Sequence, residues 1–150
     1  MIVYSDGAAR GNPGPAGIGA VVRTQGGKLV ARLGRGIGVA TNNVAEYQAA
    51  IEGLKLARER GAASVVLRAD SKLLIEQLSG RFRVKNPTLI RLHEEARKVL
   101  AGFESAGLEH VPRELNREAD RLANSGVDEW LAGPGREYQP TSHVAPDLFD

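Results

Sequence analysis

Ser64-Val65-Val66-Leu67-Arg68-Ala69-Asp70 is the stretch that decides the architecture of this chain. A nearly continuous apolar run, stopped by an acid, reads as a central strand covered by helices on both faces. Upstream of it, Asn42 or Asn43 caps a helix that runs to about Arg60, with Gly61 as its stop. Val44, Tyr47, Ile51 and Leu54 form the apolar stripe of that helix. Glu46, Ala50, Gly53 and Ala57 form an adjoining row of small residues that lets the helix approach a sheet closely, with Glu46 on the same face.

Further upstream, Met1–Ser5 reads as a first strand, residues 7–17 as a Gly/Pro-rich connection and Ile18–Thr24 as a second strand. Gln25-Gly26-Gly27 makes a hairpin turn into a third strand, in which Leu29, Ala31 and Leu33 alternate with Val30, Arg32 and Gly34. These three strands are expected to form an antiparallel meander. Downstream, Ser71 caps a short helix through Leu78, and Pro87 opens another to about Ser105. Leu108–Val111 is a last strand, and Asn116 caps a final helix whose inward face includes Asp120, Ala123, Val127 and Leu131. The reading is a single α/β domain over residues 1–131, followed by a Pro-spaced tail over 132–150.

A chain of 150 residues, 42% hydrophobic and 25% charged, is one ordinary globular domain. It has no cysteine, which excludes disulfides and thiolate zinc sites and agrees with a reducing compartment. The opening apolar run is short and lacks a basic lead-in, so it reads as a strand rather than a secretory segment. No run approaches the roughly 18 apolar residues of a membrane span. The expectation is a cytoplasmic protein. Residues 131–150 carry Arg136 against Glu137, Asp147 and Asp150, so the +2 of the whole chain leaves residues 1–130 at +4. A mildly basic body suits a polyanionic partner and also suits an ordinary solvated surface.

Four acids stand in unusual places. Asp6 ends the run Met1-Ile2-Val3-Tyr4-Ser5 and Asp70 ends the run that precedes it, while Glu46 and Asp120 lie near the starts of helices on their inward sides. Buried acids are costly unless paired or metal-bound, and none of the four has a Lys or Arg at the helical spacing that would neutralise it from its apolar side. In open sheets, ligands gather beyond the carboxyl ends of strands. Adjacent placement of the strands ending in Asp6 and Asp70 would therefore bring these acids together, with helix starts delivering the other two. An all-oxygen donor set favours Mg²⁺ or Mn²⁺ over zinc.

The motifs around these acids resemble the type 1 ribonucleases H. They are Tyr4-Ser5-Asp6-Gly7 with Gly11-Asn12-Pro13-Gly14, Thr41-Asn42-Asn43-Val44-Ala45-Glu46, Ala69-Asp70-Ser71, and Asn116-Arg117-Glu118-Ala119-Asp120-Arg121-Leu122-Ala123, in family order. The resemblance implies a five-stranded mixed sheet with its first three strands antiparallel. It also implies an endonuclease that cuts the RNA strand of RNA/DNA hybrids with two Mg²⁺ ions, leaving 5′-phosphate and 3′-hydroxyl ends. By resemblance Asp6 bridges both ions, Asp120 serves the one activating water, and Glu46 and Asp70 serve the other. Mn²⁺ is a substitute metal. The competing readings are a hybrid-binding module without turnover and another metal-dependent nuclease on the same fold.

Cutting only RNA requires sensing 2′-hydroxyls. Asn12, Asn43 and Gln48, with main-chain groups around Gly11 and Glu46, are the candidates beside the RNA strand. The alternative makes Asn12 a turn residue and Asn42 or Asn43 a helix cap. Thr41 and Asn42 resemble the family's pocket for a DNA phosphate, and Ser71 adjoins the site. Arg81-Phe82-Arg83-Val84-Lys85 reads as a DNA-strand groove, with Phe82, Arg83 and Lys85 its contacts; the alternative makes Phe82 a core lid.

Two features depart from the family pattern. Residues 80–87 are too few for the basic helix and loop that some members insert there. The stretch Val111-Pro112-Arg113-Glu114-Leu115-Asn116 holds no His where several members carry one, which leaves Arg113 or Glu114 as auxiliary groups and His110 as structural. His93 and His143 read as surface residues, and Trp130 and Tyr138 as covers of the core edge. The ending Ala145-Pro146-Asp147-Leu148-Phe149-Asp150 suits docking onto a protein partner or packing on its own domain, and the chain is expected to be a monomer.

Overall fold

The structure is a computed structural model that describes residues 1–133. Its elements are β1 (Ile2–Ala9), β2 (Gly14–Arg23), β3 (Leu29–Ala40), α1 (Asn42–Glu59), β4 (Ser64–Ala69), α2 (Lys72–Leu78), α3 (Pro87–Ala101), β5 (Ser105–His110) and α4 (Arg117–Ala132). A 3₁₀ turn, Arg113–Leu115, leads into α4. The sheet has five strands in the order β3-β2-β1-β4-β5, with β1–β2 and β2–β3 antiparallel and β1–β4 and β4–β5 parallel. The expected mixed sheet and its antiparallel opening are therefore present.

The strand covered on both faces is β2, buried from Gly14 to Val22, and not β4. In β4 burial alternates, and Val66 and Arg68 are half-buried on a face that no helix among the described residues covers. On the opposite face β4 contributes Val65 and Leu67 to a core with Val3, Val22, Tyr47, Leu54, Leu74, Leu89 and Phe103. The small-residue row of α1 does admit close approach, since a Cβ on Gly53 would stand 2.8 Å from Val3 Cγ1 and 3.0 Å from Ala20 Cβ. On the other face α4 lies on β2 and β3. A Cβ on Gly19 would come within 2.1 Å of the Ala119 carbonyl oxygen, and one on Gly17 within 2.2 Å of that of Ala123.

Several boundaries differ from expectation. The Gly/Pro-rich segment is mostly strand: β1 continues through Asp6 to Ala9, pairing Gly7–Ala9 with Ala16–Ile18, and only the Arg10–Pro13 corner turns. β3 runs on to Ala40, α3 stops at Ala101, and β5 begins at Ser105. Thr41, rather than either asparagine, caps α1, its hydroxyl oxygen accepting from the Val44 N–H at 3.2 Å. Ser71 caps α2 as expected. His93 is part-buried, with Nε2 3.0 Å from the Gln77 carbonyl oxygen and its ring edge-on to Tyr47. Trp130 sits over Gly36 at the sheet edge. Tyr138, His143 and the suggested docking end lie outside the described residues.

Candidate active site

The parallel pairing of β1 with β4 ends at Ser5 opposite Ala69, so Asp6 and Asp70 follow side by side where the two strands part. Asp6 is thus inside a strand rather than at its end, because β1 keeps β2 as a partner after losing β4. Its register mate is Gly19, which lies under Ala119 of α4 and so sets Asp6 beside the start of that helix.

Glu46 arrives from α1 through a backbone approach. A Cβ on Gly7 would stand 2.2 Å from the Ala45 carbonyl carbon and 2.4 Å from the Glu46 nitrogen, so only glycine lets strand and helix touch here. The Gly7 N–H then donates to Glu46 Oε1 at 2.7 Å. The carboxylates of Asp6, Glu46 and Asp70 each offer an oxygen within 4.8 Å of the others, with Asp6 and Glu46 buried. Asp120 stands outside that trio but is close enough to Asp6 to help raise the pKa of its carboxyl. Its own position is held from within α4, where Asn124 Nδ2 donates to the Asp120 carbonyl at 3.0 Å and to Oδ1 at 3.3 Å.

Like charges this close in a desolvated place cannot all ionise. Burial, then the Glu46 charge and hydrogen bonding to Glu46 and Asp120, pushes the Asp6 carboxyl up to about 10. Burial pushes Glu46 up to about 7, while its hydrogen bonds to Asp6 and Gly7 and the Arg113 guanidinium act the other way. The two acids behave as a pair holding a common proton. Glu46 Oε2 is buried and has no donor other than such a proton. A divalent cation between these oxygens would remove the need for it, and a donor set made only of carboxylates is that of a hard cation. The residues present therefore fit Mg²⁺ or Mn²⁺.

Asn116, read from sequence as a cap, makes no capping bond. It is 1% exposed and turns inward, donating through Nδ2 to the Ser5 carbonyl at 2.8 Å and to Asp70 Oδ2 at 3.0 Å. It bridges the gap where β1 and β4 separate. His110 Nε2 lies 3.2 Å from the Asp70 carbonyl oxygen, on the main chain next to the site. Sequence reading missed the bridging role of Asn116 and the support from Asn124; only the i, i+4 spacing of Asp120 and Asn124 signalled the latter.

The substrate candidates spread around this centre. Asn12 Oδ1 accepts from the Asn42 N–H at 3.0 Å, and Asn42 Oδ1 from the Ala9 N–H at 3.1 Å, so these side chains tie the β1–β2 corner to the start of α1. Gly11, with φ of 97°, and Asn12 are exposed on that corner, and Asn43 and Gln48 are half-buried on α1. Phe82 is 45% exposed, which removes the core-lid reading, and Arg83 and Lys85 are exposed beside it. Gln77 underpins this segment: Nε2 donates to the Arg83 carbonyl at 3.4 Å while Oε1 accepts from the buried Tyr47 hydroxyl at 2.7 Å. Arg113 and Glu114 are exposed on the 3₁₀ turn.

A family model described as reverse transcriptase-like matches residues 4–126. The chain is 43% identical over 148 residues to a bifunctional protein of Mycobacterium tuberculosis, covering 98% of this chain. It spans only 41% of that relative's length. The crystal structure of RNase H1 from Halobacterium salinarum aligns with a TM-score of 0.84 at 45% identity, covering 85% of this chain and 97% of that one. LC11-RNase H1, solved in complex with an RNA/DNA hybrid, aligns with a TM-score of 0.83 at 38% identity, covering 87% and 99%. With the fold, the order of the motifs and these likenesses in agreement, the chain belongs to the ribonuclease H family.

Proposed function

We propose that this chain hydrolyses the RNA strand of RNA/DNA hybrids, leaving 5′-phosphate and 3′-hydroxyl ends, with residues 1–131 as the nuclease domain. The observation that carries the reading is the meeting of Asp6, Glu46 and Asp70 within 4.8 Å, joined by Asp120 through Asp6 and including a buried oxygen without a donor. A hybrid-binding module would gain nothing from such a centre, since carboxylates repel phosphate. Asp6, Glu46, Asp70 and Asp120 would hold two Mg²⁺ ions, with Mn²⁺ as a substitute. Bound there, such ions would supply Lewis acidity for displacement at phosphorus.

The remaining work belongs to the protein. Asn116 keeps the Asp70 carboxylate aimed into the gap between strands, and Gly7 does so for Glu46. The Thr41 hydroxyl uses a lone pair to cap α1 and keeps its proton to donate to a DNA phosphate beside Asn42. The Asn12 side chain lends its carbonyl to Asn42 and turns its amide to the RNA strand, with Gly11, Asn43, Gln48 and Ser71 alongside. Phe82 stacks on the DNA strand while Arg83 and Lys85 meet its phosphates. Arg113 or Glu114 serves in place of a loop histidine.

The deciding experiment compares end-labelled RNA/DNA, RNA/RNA and DNA/DNA duplexes with and without Mg²⁺, and identifies the product ends. Cleavage confined to the RNA of the hybrid and dependent on metal is expected. Binding without cleavage would leave a hybrid-binding module, and cutting of DNA/DNA would assign a different nuclease.

A further inference from the structure

Several surface arginines of the described fold are matched by a carboxylate. Arg10 pairs with Asp128 at 2.7 Å, Arg23 and Arg32 with Glu118 at 2.8 and 3.8 Å, Arg68 with Glu109 at 2.7 Å and Arg81 with Glu76 at 3.4 Å. Arg117 and Arg121 are exposed and take part in none of the ion pairs among the described residues. Glu118, between them in sequence, turns to Arg23 and Arg32 instead.

That arrangement is unfavourable for the helix taken alone. Arg117 is the first residue of α4, where the backbone dipole favours an acid. Arg121 follows one turn later on the same side, so two like charges stand at i, i+4. Both line an open cleft of about 650 Å³ whose wall also holds Arg113, Glu114, Asp120 and Asn124. Asp120 lines this cleft, and Asp6 lies opposite Gly19, beneath the neighbouring Ala119, so the cleft borders the acidic centre.

We infer that Arg117 and Arg121 form a phosphodiester-binding cleft that takes a backbone phosphate of the RNA strand next to the cut. The inference rests on the hybrid-nuclease reading and names an interaction which that reading does not require. A strand crossing the carboxylates meets repulsion there, and a pair of guanidinium forks beyond Asp120 offsets it while fixing the strand's direction. Successive phosphates of a strand and successive turns of a helix have comparable spacing, so the two cations can follow one backbone.

The test uses Arg117→Gln, Arg121→Gln and the double variant, with Arg32→Gln as a control on the same side of the sheet. Hybrid affinity is measured without metal across a salt series, and cleavage kinetics with Mg²⁺. The double variant is expected to raise KM about tenfold with kcat little changed, as for the removal of charged hydrogen bonds. Its slope of log affinity against log salt should fall by about 0.9 for each phosphate no longer neutralised, and its melting temperature should equal or exceed that of the parent. A methylphosphonate near the cut in the RNA strand should weaken the parent and leave the double variant unaffected. An unchanged slope and KM, coupling to the DNA strand instead, or a less stable double variant would each overturn the cleft. A parent that binds hybrids but cuts none would refute the nuclease reading and leave the salt-slope result standing on its own.

Discussion

Asn116 and Asp70 meet across the gap between β1 and β4, with the amide Nδ2 3.0 Å from Oδ2 and the same amide donating to the Ser5 carbonyl. One buried side chain thus closes a sheet defect and orients a carboxylate. Asn116→Ala is expected to cost about 1–3 kcal/mol of stability, because the Ser5 carbonyl loses its donor. Asn116→Asp should do worse in activity, since it cannot donate when ionised and adds charge to the cluster. Urea unfolding and the Mg²⁺ concentration for half-maximal cleavage check both; wild-type values in either would refute the bridging role.

The metal-free protein should lose stability as pH rises. An acid whose pKa is raised by folding contributes stability below its unfolded value and loses it as pH climbs through the folded one. For Glu46 that window runs from 4.5 to about 7 and for Asp6 from 3.8 to about 10. Urea midpoints with chelator should therefore fall between pH 5 and pH 9, and saturating Mg²⁺ should flatten the dependence. A midpoint that rises with pH under chelation would contradict the shared proton.

Asp6→Asn should separate activity from stability. Cleavage is expected to drop to background, while the metal-free melting temperature at pH 8 rises because one of the crowded charges is gone. Asp70→Asn should abolish cleavage as well, with a smaller gain in stability since Asp70 is less buried. Near-normal turnover by either variant would remove the carboxylate centre as the site of chemistry.

Phe82→Ala should weaken hybrid binding by about 1–3 kcal/mol at both low and high salt, as expected when a stacking platform is removed. Arg83→Gln and Lys85→Gln should matter at low salt and fade at high salt. Equal affinity for the parent and Phe82→Ala at both conditions would take Phe82 off the binding surface.

Gly7→Ala forces a methyl to within 2.2–2.5 Å of the main chain of Ala45 and Glu46. The expected cost is about 3 kcal/mol, with backbone displacement that breaks the Gly7–Glu46 bond. A calorimetric scan and cleavage assay should register both losses; an unperturbed variant would show that strand and helix are free to separate here.

The mixed sheet, the helices and the meeting of Asp6, Glu46 and Asp70 were readable because periodicity and motif order carry them. The strand covered on both faces was not. In β2 the residues against α4 are Gly17 and Gly19, small because a helix backbone lies on them, and small residues mimic a loop in sequence. Conversely, β4 looked fully covered because Val66 is apolar, yet it and Arg68 face a side that no helix among the described residues covers. Asp6 looked terminal because its strand changes from two partners to one, an event with no signature in β1 itself. Asn116 stood at the expected capping position, but where its amide points depends on Ser5 and Asp70, which are distant in sequence.

The seating of α4 on Gly17, Gly19, Gly34 and Gly36 leaves no room for a side chain at any of these four strand positions. Such a fit acts as a ruler: a slide or rotation of the helix by a single residue would drive backbone into backbone, so Asp120 has one address relative to Asp6. Anyone redesigning this fold is therefore free to rewrite the exposed positions of α4 away from Arg117 and Arg121, but must inherit the four bare positions beneath it unchanged.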